Sequence, residues 1–218
     1  MFSSVIANDN MCHNERNVRV VFKYFRLSNA EDKINAATSE KLLLVTYNIH
    51  LPDKVPIEWT PNDIDRITLR ILELLDPLVP KSFVPIAIVG DGNCLFRALS
   101  KGFFNTESFH VHIRLLTSID MILNPQFYDS KHPGFTDLFN DHRLPIGIYS
   151  SMIDIVLTLG KAVCMYTILA ASAALGICVR TYCPSTGPVG GILLGDPHSR
   201  LVQGHDVSST KITNFSLM

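Results

Sequence analysis

The sequence predicts an α/β or α+β fold, a small mixed β-sheet flanked by helices. Three observations predict it. Val18, Val20, Phe22 and Tyr24 are apolar at every second position, the pattern of a half-buried strand. Later stretches repeat their apolar residues at helical spacing. An uncharged run from Ala162 to Val179 passes from small helix formers to β-like residues at Gly176. Hydrophobic residues make up 47% of the 218 and charged residues 18%, enough apolar material for a sizeable core and too little charge for a disordered chain. The formal net charge of −1 supplies no basic field, so no nucleic-acid partner is expected.

Residues 1–16 are polar and unpatterned and are expected to fray. They lack a basic leading segment, and the run Val5-Ile6-Ala7 breaks too early for a signal peptide. Five cysteines, Cys12, Cys94, Cys164, Cys178 and Cys183, are an odd count without the density of a secreted disulfide scaffold. They read as reduced thiols, which places the protein in the cytoplasm or nucleus. After the strand at Val18–Phe25, Leu42–Tyr47 reads as a second strand. The chain thus divides into an N-terminal extension over 1–60, partly disordered, and a domain over 61–218.

That domain opens with a helix. Thr60 supplies an N-cap, Pro61 a first helical residue and Asp63 a carboxylate matched to the helix dipole, and Ile64, Ile67, Ile71 and Leu74 give the apolar face. Asp76-Pro77 ends it. Val84–Val89 is a short apolar run read as a buried strand, and Gly90-Asp91-Gly92-Asn93 is a turn. From Cys94 onward Leu95, Ala98, Leu99 and Gly102 make a helical stripe. Cys94 would therefore stand at a helix N-terminus, where unpaired backbone N–H groups stabilise negative charge on sulfur and can receive an oxyanion.

A further helix carries Val111, Leu115, Ile119 and Ile122 and closes at Asn124-Pro125. His110 and His112 lie two apart and so point to different sides of that helix, which is wrong for shared metal ligation. Arg114 reads as a salt-bridged or solvated residue. Asp129–Pro145 is a loop whose acids and histidines, His132 and His142 among them, follow no ligand spacing. A helix from Ser150 through Met152, Ile155, Val156 and Leu159 ends at Gly160.

Ala162–Val179 reaches the lower limit for a transmembrane span, about 17 residues. Its small residues, the break at Gly176 and the β-like Ile177–Tyr182 ending at Pro184 favour a buried helix running into a core strand, with no membrane partner. Cys178, Cys183, His198 and His205 are the one conceivable zinc set. On a strand, Cys178 and Cys183 face opposite sides, so core cysteines are the better reading, for Cys164 as well. No metal site is expected.

Asp91-Gly92-Asn93-Cys94-Leu95-Phe96-Arg97-Ala98 resembles the nucleophile signature of the ovarian-tumour (OTU) cysteine proteases, which remove ubiquitin or ubiquitin-like modifiers from lysines. Arg114-Leu115-Leu116 and Asn124-Pro125-Gln126-Phe127-Tyr128 resemble the second helix of that fold and its Asn-Pro-x-Phe/Tyr end. Gly160–Pro184 resembles its small-residue helix leading into a core strand. Cys164-Met165-Tyr166 before Ala170-Ala171-Ser172 is similar to the vertnin-like and transposon-associated branch.

The resemblance implies an OTU-like papain-type cysteine protease fold. It implies Cys94 as nucleophile, Asp91 shaping the oxyanion hole or completing a triad, and the N–H groups of Gly92, Asn93 and Cys94 receiving the oxyanion. It implies ubiquitin or a ubiquitin-like modifier as partner and calls for no cofactor. The departure is at the base. The family places its histidine in a late strand, commonly as Asn-His-Phe, and no such block follows Pro184. His198, after Pro197, and His205, between Gly204 and Asp206, read as turn histidines and are the remaining candidates. Ile212–Met218 reads as the strand before the histidine strand, so the domain is expected to be truncated. Two functions follow: a cysteine deubiquitinase, or an inactive OTU-like module that binds ubiquitin or serves as a vertnin-like nuclear regulator.

Overall fold

A computed structural model describes residues 18–46, 58–74, 84–136, 148–180 and 211–214. Helix α1 covers residues 18–27 and α2 Ala30–Thr46. A short 3-10 turn at Pro61–Asp63 precedes α3, Arg66–Leu74. Then come α4, Cys94–Phe104, α5, His110–Leu123, a 3-10 turn at Pro125–Phe127, α6, Tyr149–Val156, and α7, Met165–Leu175. Strand β1, Ile177–Arg180, pairs in parallel with β2, Lys211–Asn214, in the register Ile177 to Lys211.

Among the described residues the architecture is therefore helical. Strand is confined to the β1–β2 pair and one antiparallel bridge, Ile64 to Ile86. This overturns the predicted α/β papain-type fold with a small mixed sheet flanked by helices. The reasons are local. In residues 18–27 the buried side chains are Val18, Phe22 and Phe25, at helical spacing, while Val20 and Tyr24 face solvent. A strand would have buried all four alternating residues, whereas a helix buries the heavier set with both phenylalanines.

Of the second predicted strand, Leu42–Tyr47, residues Leu42–Thr46 are the end of α2, and Tyr47 lies outside the described residues. That helix is well started: Asn29 Oδ1 accepts the Asp32 N–H at 2.9 Å, and Glu31 and Asp32 sit in its first turn. Once nucleated, it extends cheaply into leucines, which are good helix formers. The apolar run at Val84–Val89 is extended, but Val84 and Val89 are exposed and only Ile86 makes the bridge. The predicted helix from Pro61 is split. Thr60 and Asp63 close the 3-10 turn, with Thr60 N–H and Oγ1 both donating to Asp63 Oδ2 at 2.8 Å. Asp65 then caps α3, accepting from the N–H groups of Ile67 and Thr68 and from Thr68 Oγ1.

The later helices follow the sequence closely. Helix α5 is the centre of the molecule, packed by α2, α4, α6 and α7 and buried on almost every side. Val111, Leu115, Ile119 and Ile122 all lie in its core-facing set. Helix α4 buries Leu95, Ala98, Leu99 and Gly102, and it stops not at Gly102 but at Asn105, which adopts the left-handed conformation at φ 54°. Ser100 secures the next turn by donating to Thr106 O and accepting the Phe109 N–H.

Ala170 and Ala171 let α7 lie close against α5. Gly176, at φ 61°, ends α7, and Ser172 Oγ donates to Ile177 O where β1 begins. No described helix is long and apolar enough to cross a membrane. Residues 1–16 and the predicted loop from residue 137 to 145 lie outside the described residues, as do Cys183, His198 and His205.

Candidate functional site

Cys94 is the first residue of α4 and its thiol is exposed. The turn before it is built to hold that position. Gly92 adopts φ 76°, a left-handed conformation that reverses the chain between the extended 84–90 segment and the helix. Asn93 stands at the helix N-cap but does not cap with its side chain. That amide is buried and spent elsewhere. Its Oδ1 accepts from Arg114 Nη1 at 2.8 Å and from the Gly160 N–H at 3.0 Å, and its Nδ2 donates to Asp91 Oδ2 at 3.1 Å. Two donors on the oxygen and an acceptor at the nitrogen fix which way the amide points.

Arg114 is the second component and the one the sequence reading misplaced. It is neither solvated nor an ordinary surface ion pair: it is fully buried, at 0% exposure. Nε donates to Val156 O at 2.8 Å, and Nη2 donates to Ile155 O, Thr158 O and Lys161 O at 2.7 to 3.0 Å. These carbonyls end α6 and line the turn after it, the negative end of a helix dipole. Nη1 reaches the other way, to Asn93 Oδ1 and Gly92 O. Its guanidinium also lies over the Phe96 ring, 4.9 Å from the centroid. Burial pushes the Arg114 guanidinium down to about 10, with Asp91 and Cys94 acting to raise it, so it stays cationic at neutral pH. One side chain thus ties the end of α6 to the turn that carries the thiol.

A signal for Arg114 was present. It falls between Val111 and Ser118 on the apolar face of α5, and a cation in that stripe has to find buried acceptors.

Asp91 is the third component. Its carboxylate accepts the Asn93 N–H at 3.0 Å and Asn93 Nδ2, and it takes Arg97 Nε and Nη2 in a fork, the shortest contact at 2.7 Å. Arg97 Nη1 continues to Glu107 Oε2 at 3.2 Å, linking the turn to the α4–α5 connection. The Arg97 guanidinium holds the Asp91 carboxyl well below the usual carboxylate range, and Asp91 in turn raises Arg97.

Stability linked to this pair therefore has a defined pH window. A carboxyl whose folded value is depressed stabilises the fold above its unfolded value, about 3.9. That contribution is lost as pH falls below there and through the lowered folded value. Asp91→Asn is expected to flatten the acid limb of stability from about pH 4 downward, read by urea unfolding at each pH. Parallel curves for the two proteins would show that the pair contributes nothing.

The structure thus brings Asp91, Gly92, Asn93 and Cys94 together, with the Asn93 N–H directed at Asp91. Among the described histidines, His110 Nδ1 lies 2.8 Å from Glu107 O, His112 stacks edge-on against Phe109, and His132 accepts the Gly134 N–H. No described group of three His, Cys, Asp or Glu could hold a metal ion. Cys164 is not a core cysteine: it is exposed at the N-cap of α7, its sulfur 3.7 Å from Thr167 Oγ1.

The segment from Pro85 through the Cys94 turn, α4, α5 and the start of α6 also decides the comparison with known proteins. A family model described as the OTU domain of vertnin matches residues 85–151. Over that segment the chain is similar to the vertnin-type OTU domain. No curated protein matches the chain. The vertnin-type OTU match contains the thiol turn, Arg97 and Arg114, and it stops short of Gly160, which closes the turn from α6.

Proposed function

We propose that this OTU-like chain is a cysteine isopeptidase that removes ubiquitin or a ubiquitin-like modifier from proteins, with Cys94 as the nucleophile. The observation that carries this reading is the placement of the thiol: an exposed sulfur at the first residue of α4, on a turn held from three sides by Asp91, Arg97 and Arg114. A structural cysteine needs no such support and is ordinarily buried.

In the proposed cycle the Cys94 thiolate attacks the isopeptide carbonyl carbon, and the carbonyl π electrons move to oxygen. With the Asn93 N–H committed to Asp91, the N–H groups of Gly92 and Cys94 receive that oxyanion. The C–N bond then breaks, and the lysine amine leaves with a proton from the general base. Water hydrolyses the thioester, releasing the modifier's carboxylate and restoring the thiol. His198 and His205 are the candidates for the base. Asp91 serves as a positioning residue, since its oxygens are taken by Arg97 and Asn93.

The same engagement of Asp91 favours a second reading, a non-catalytic module that binds ubiquitin or acts as a vertnin-like nuclear regulator. Ubiquitin bearing a C-terminal electrophile separates the two. The isopeptidase reading expects a mass shift on the wild-type chain, none on Cys94→Ala, and a slower one when the working histidine is replaced. Reversible binding of ubiquitin with no Cys94-dependent adduct would remove the enzyme and leave the module.

A further inference from the structure

Helix α1 carries a surface that nothing in the isopeptidase proposal uses. Its core side is Val18, Phe22 and Phe25, with Val21 packed alongside. The opposite side of an amphipathic helix is normally polar. Here it is apolar: Val20, Tyr24 and Leu27 are 68%, 52% and 79% exposed. They stand at i, i+4 and i+7 and so form one row along the helix.

A second row runs beside the first. Arg19, Lys23 and Arg26 are exposed, each one position before an apolar residue and thus about 100° round the helix from it. No acidic residue occurs between Val18 and Asn29; the first are Glu31 and Asp32 in α2.

We infer that α1 is a docking face for an acidic amphipathic helix of a partner protein, which lays an apolar row on Val20, Tyr24 and Leu27 and a carboxylate row along Lys23 and Arg26. The charge pattern selects this occupant. Three large apolar side chains at i, i+4 and i+7 are the anchor spacing of a helix–helix contact, and Tyr is a residue type enriched where such contacts are strongest. Phosphates would engage the basic row but gain nothing from the apolar one. An anionic membrane favours a central apolar face with basic residues on both flanks. On α1 the basic row lies on one flank only, and the other flank turns through Val21 into the core. One-sided charge suits a partner whose own charge is one-sided, and it fixes the partner's register.

The test uses the purified full chain and a fluorescein-labelled helical peptide with leucines at heptad positions a and d, glutamates along one flank at e and uncharged glutamines at g, followed by anisotropy. Saturable binding is expected, weakening as salt rises. The double variant Lys23→Glu, Arg26→Glu and the double variant Tyr24→Ser, Leu27→Ser should each bind about tenfold more weakly or worse. All four residues are exposed, so unchanged circular dichroism is the accompanying control. A second peptide with lysine in place of every glutamate needs no protein variant and should not bind. Equal binding of both peptides, no binding of the acidic one, or wild-type affinity in both variants would overturn the inference. So would co-sedimentation with phosphatidylserine vesicles that the same variants abolish, which would make α1 a membrane face. Loss of the Cys94 adduct would leave this result untouched.

Discussion

Arg114→Ala is expected to destabilise the protein by about 3–5 kcal/mol, the range for removing one partner from a buried, charge-assisted network. The magnitude comes from what is left behind. Deleting the guanidinium takes the Arg114 donor from Val156 O, Lys161 O and Gly92 O, and leaves Ile155 O, Thr158 O and Asn93 Oδ1 with the N–H groups of Thr158, Lys161 and Gly160 in its place. Each buried acceptor left unpaired costs about 1–3 kcal/mol, less whatever entering water recovers. Arg114→Lys keeps the charge but not the planar fork, and one ammonium cannot serve acceptors lying on two sides of it. It should recover only part of the loss. Urea unfolding with an unchanged m-value is the measurement, and a loss under about 1 kcal/mol for the alanine variant would show that the network is replaceable by water. Because Nη1 holds Gly92 and Asn93, reaction of Cys94 with the ubiquitin electrophile should slow under conditions where both variants remain folded.

The same residue shows where the sequence was legible and where it was not. The spacing of Val111, Leu115, Ile119 and Ile122 announces α5 because a central helix needs that stripe whatever surrounds it. It cannot announce that Arg114 is buried among carbonyls of α6, since those acceptors are 41 to 47 residues away in the chain. In α1 the failure is different. Val18 and Phe22 satisfy an alternating strand and a helical stripe equally, and the pattern is broken by Val21 and Phe25, which pack on the core where alternation would place them outward. Val20 and Tyr24 then misled because they are apolar yet exposed, the very property that makes α1 a docking face. A sheet was predicted from local apolar runs, and runs of four to eight residues do not separate a strand from a helix end or an extended surface segment.

In the site, chemistry confined to one turn could be read from sequence. Asp91, Gly92, Asn93 and Cys94 are neighbours in the chain, so their juxtaposition needed no tertiary structure. The contributions of Gly160 and Arg114 did. Asn93 meets Gly160 across 67 residues, a contact no local pattern encodes.

Gly92→Ala is expected to be the most damaging single methyl in the described residues, and three glycines separate its causes. At Gly90 an added Cβ meets nothing within 4 Å and the backbone does not require a left-handed residue, so Gly90→Ala should stay within about 0.5 kcal/mol of wild type. Gly176 also has open space but sits at φ 61°, so Gly176→Ala isolates the conformational cost, about 1–2 kcal/mol. Gly92 combines φ 76° with a Cβ position that overlaps the Gly160 carbonyl and presses on the Ala162 nitrogen at 3.1 Å. Both obstacles are backbone and cannot rotate aside. Gly160 is moreover tied to Asn93, so moving it breaks the contact that orients the thiol turn. The conformational and overpacking terms together give roughly 2–5 kcal/mol. The order Gly90, Gly176, Gly92 in unfolding free energy is the prediction, measured by urea denaturation. If Gly92→Ala matched Gly176→Ala, the close approach of the α6 turn to the Cys94 turn would carry no energetic weight, and the thiol turn would be held by Asp91, Arg97 and Arg114 without it.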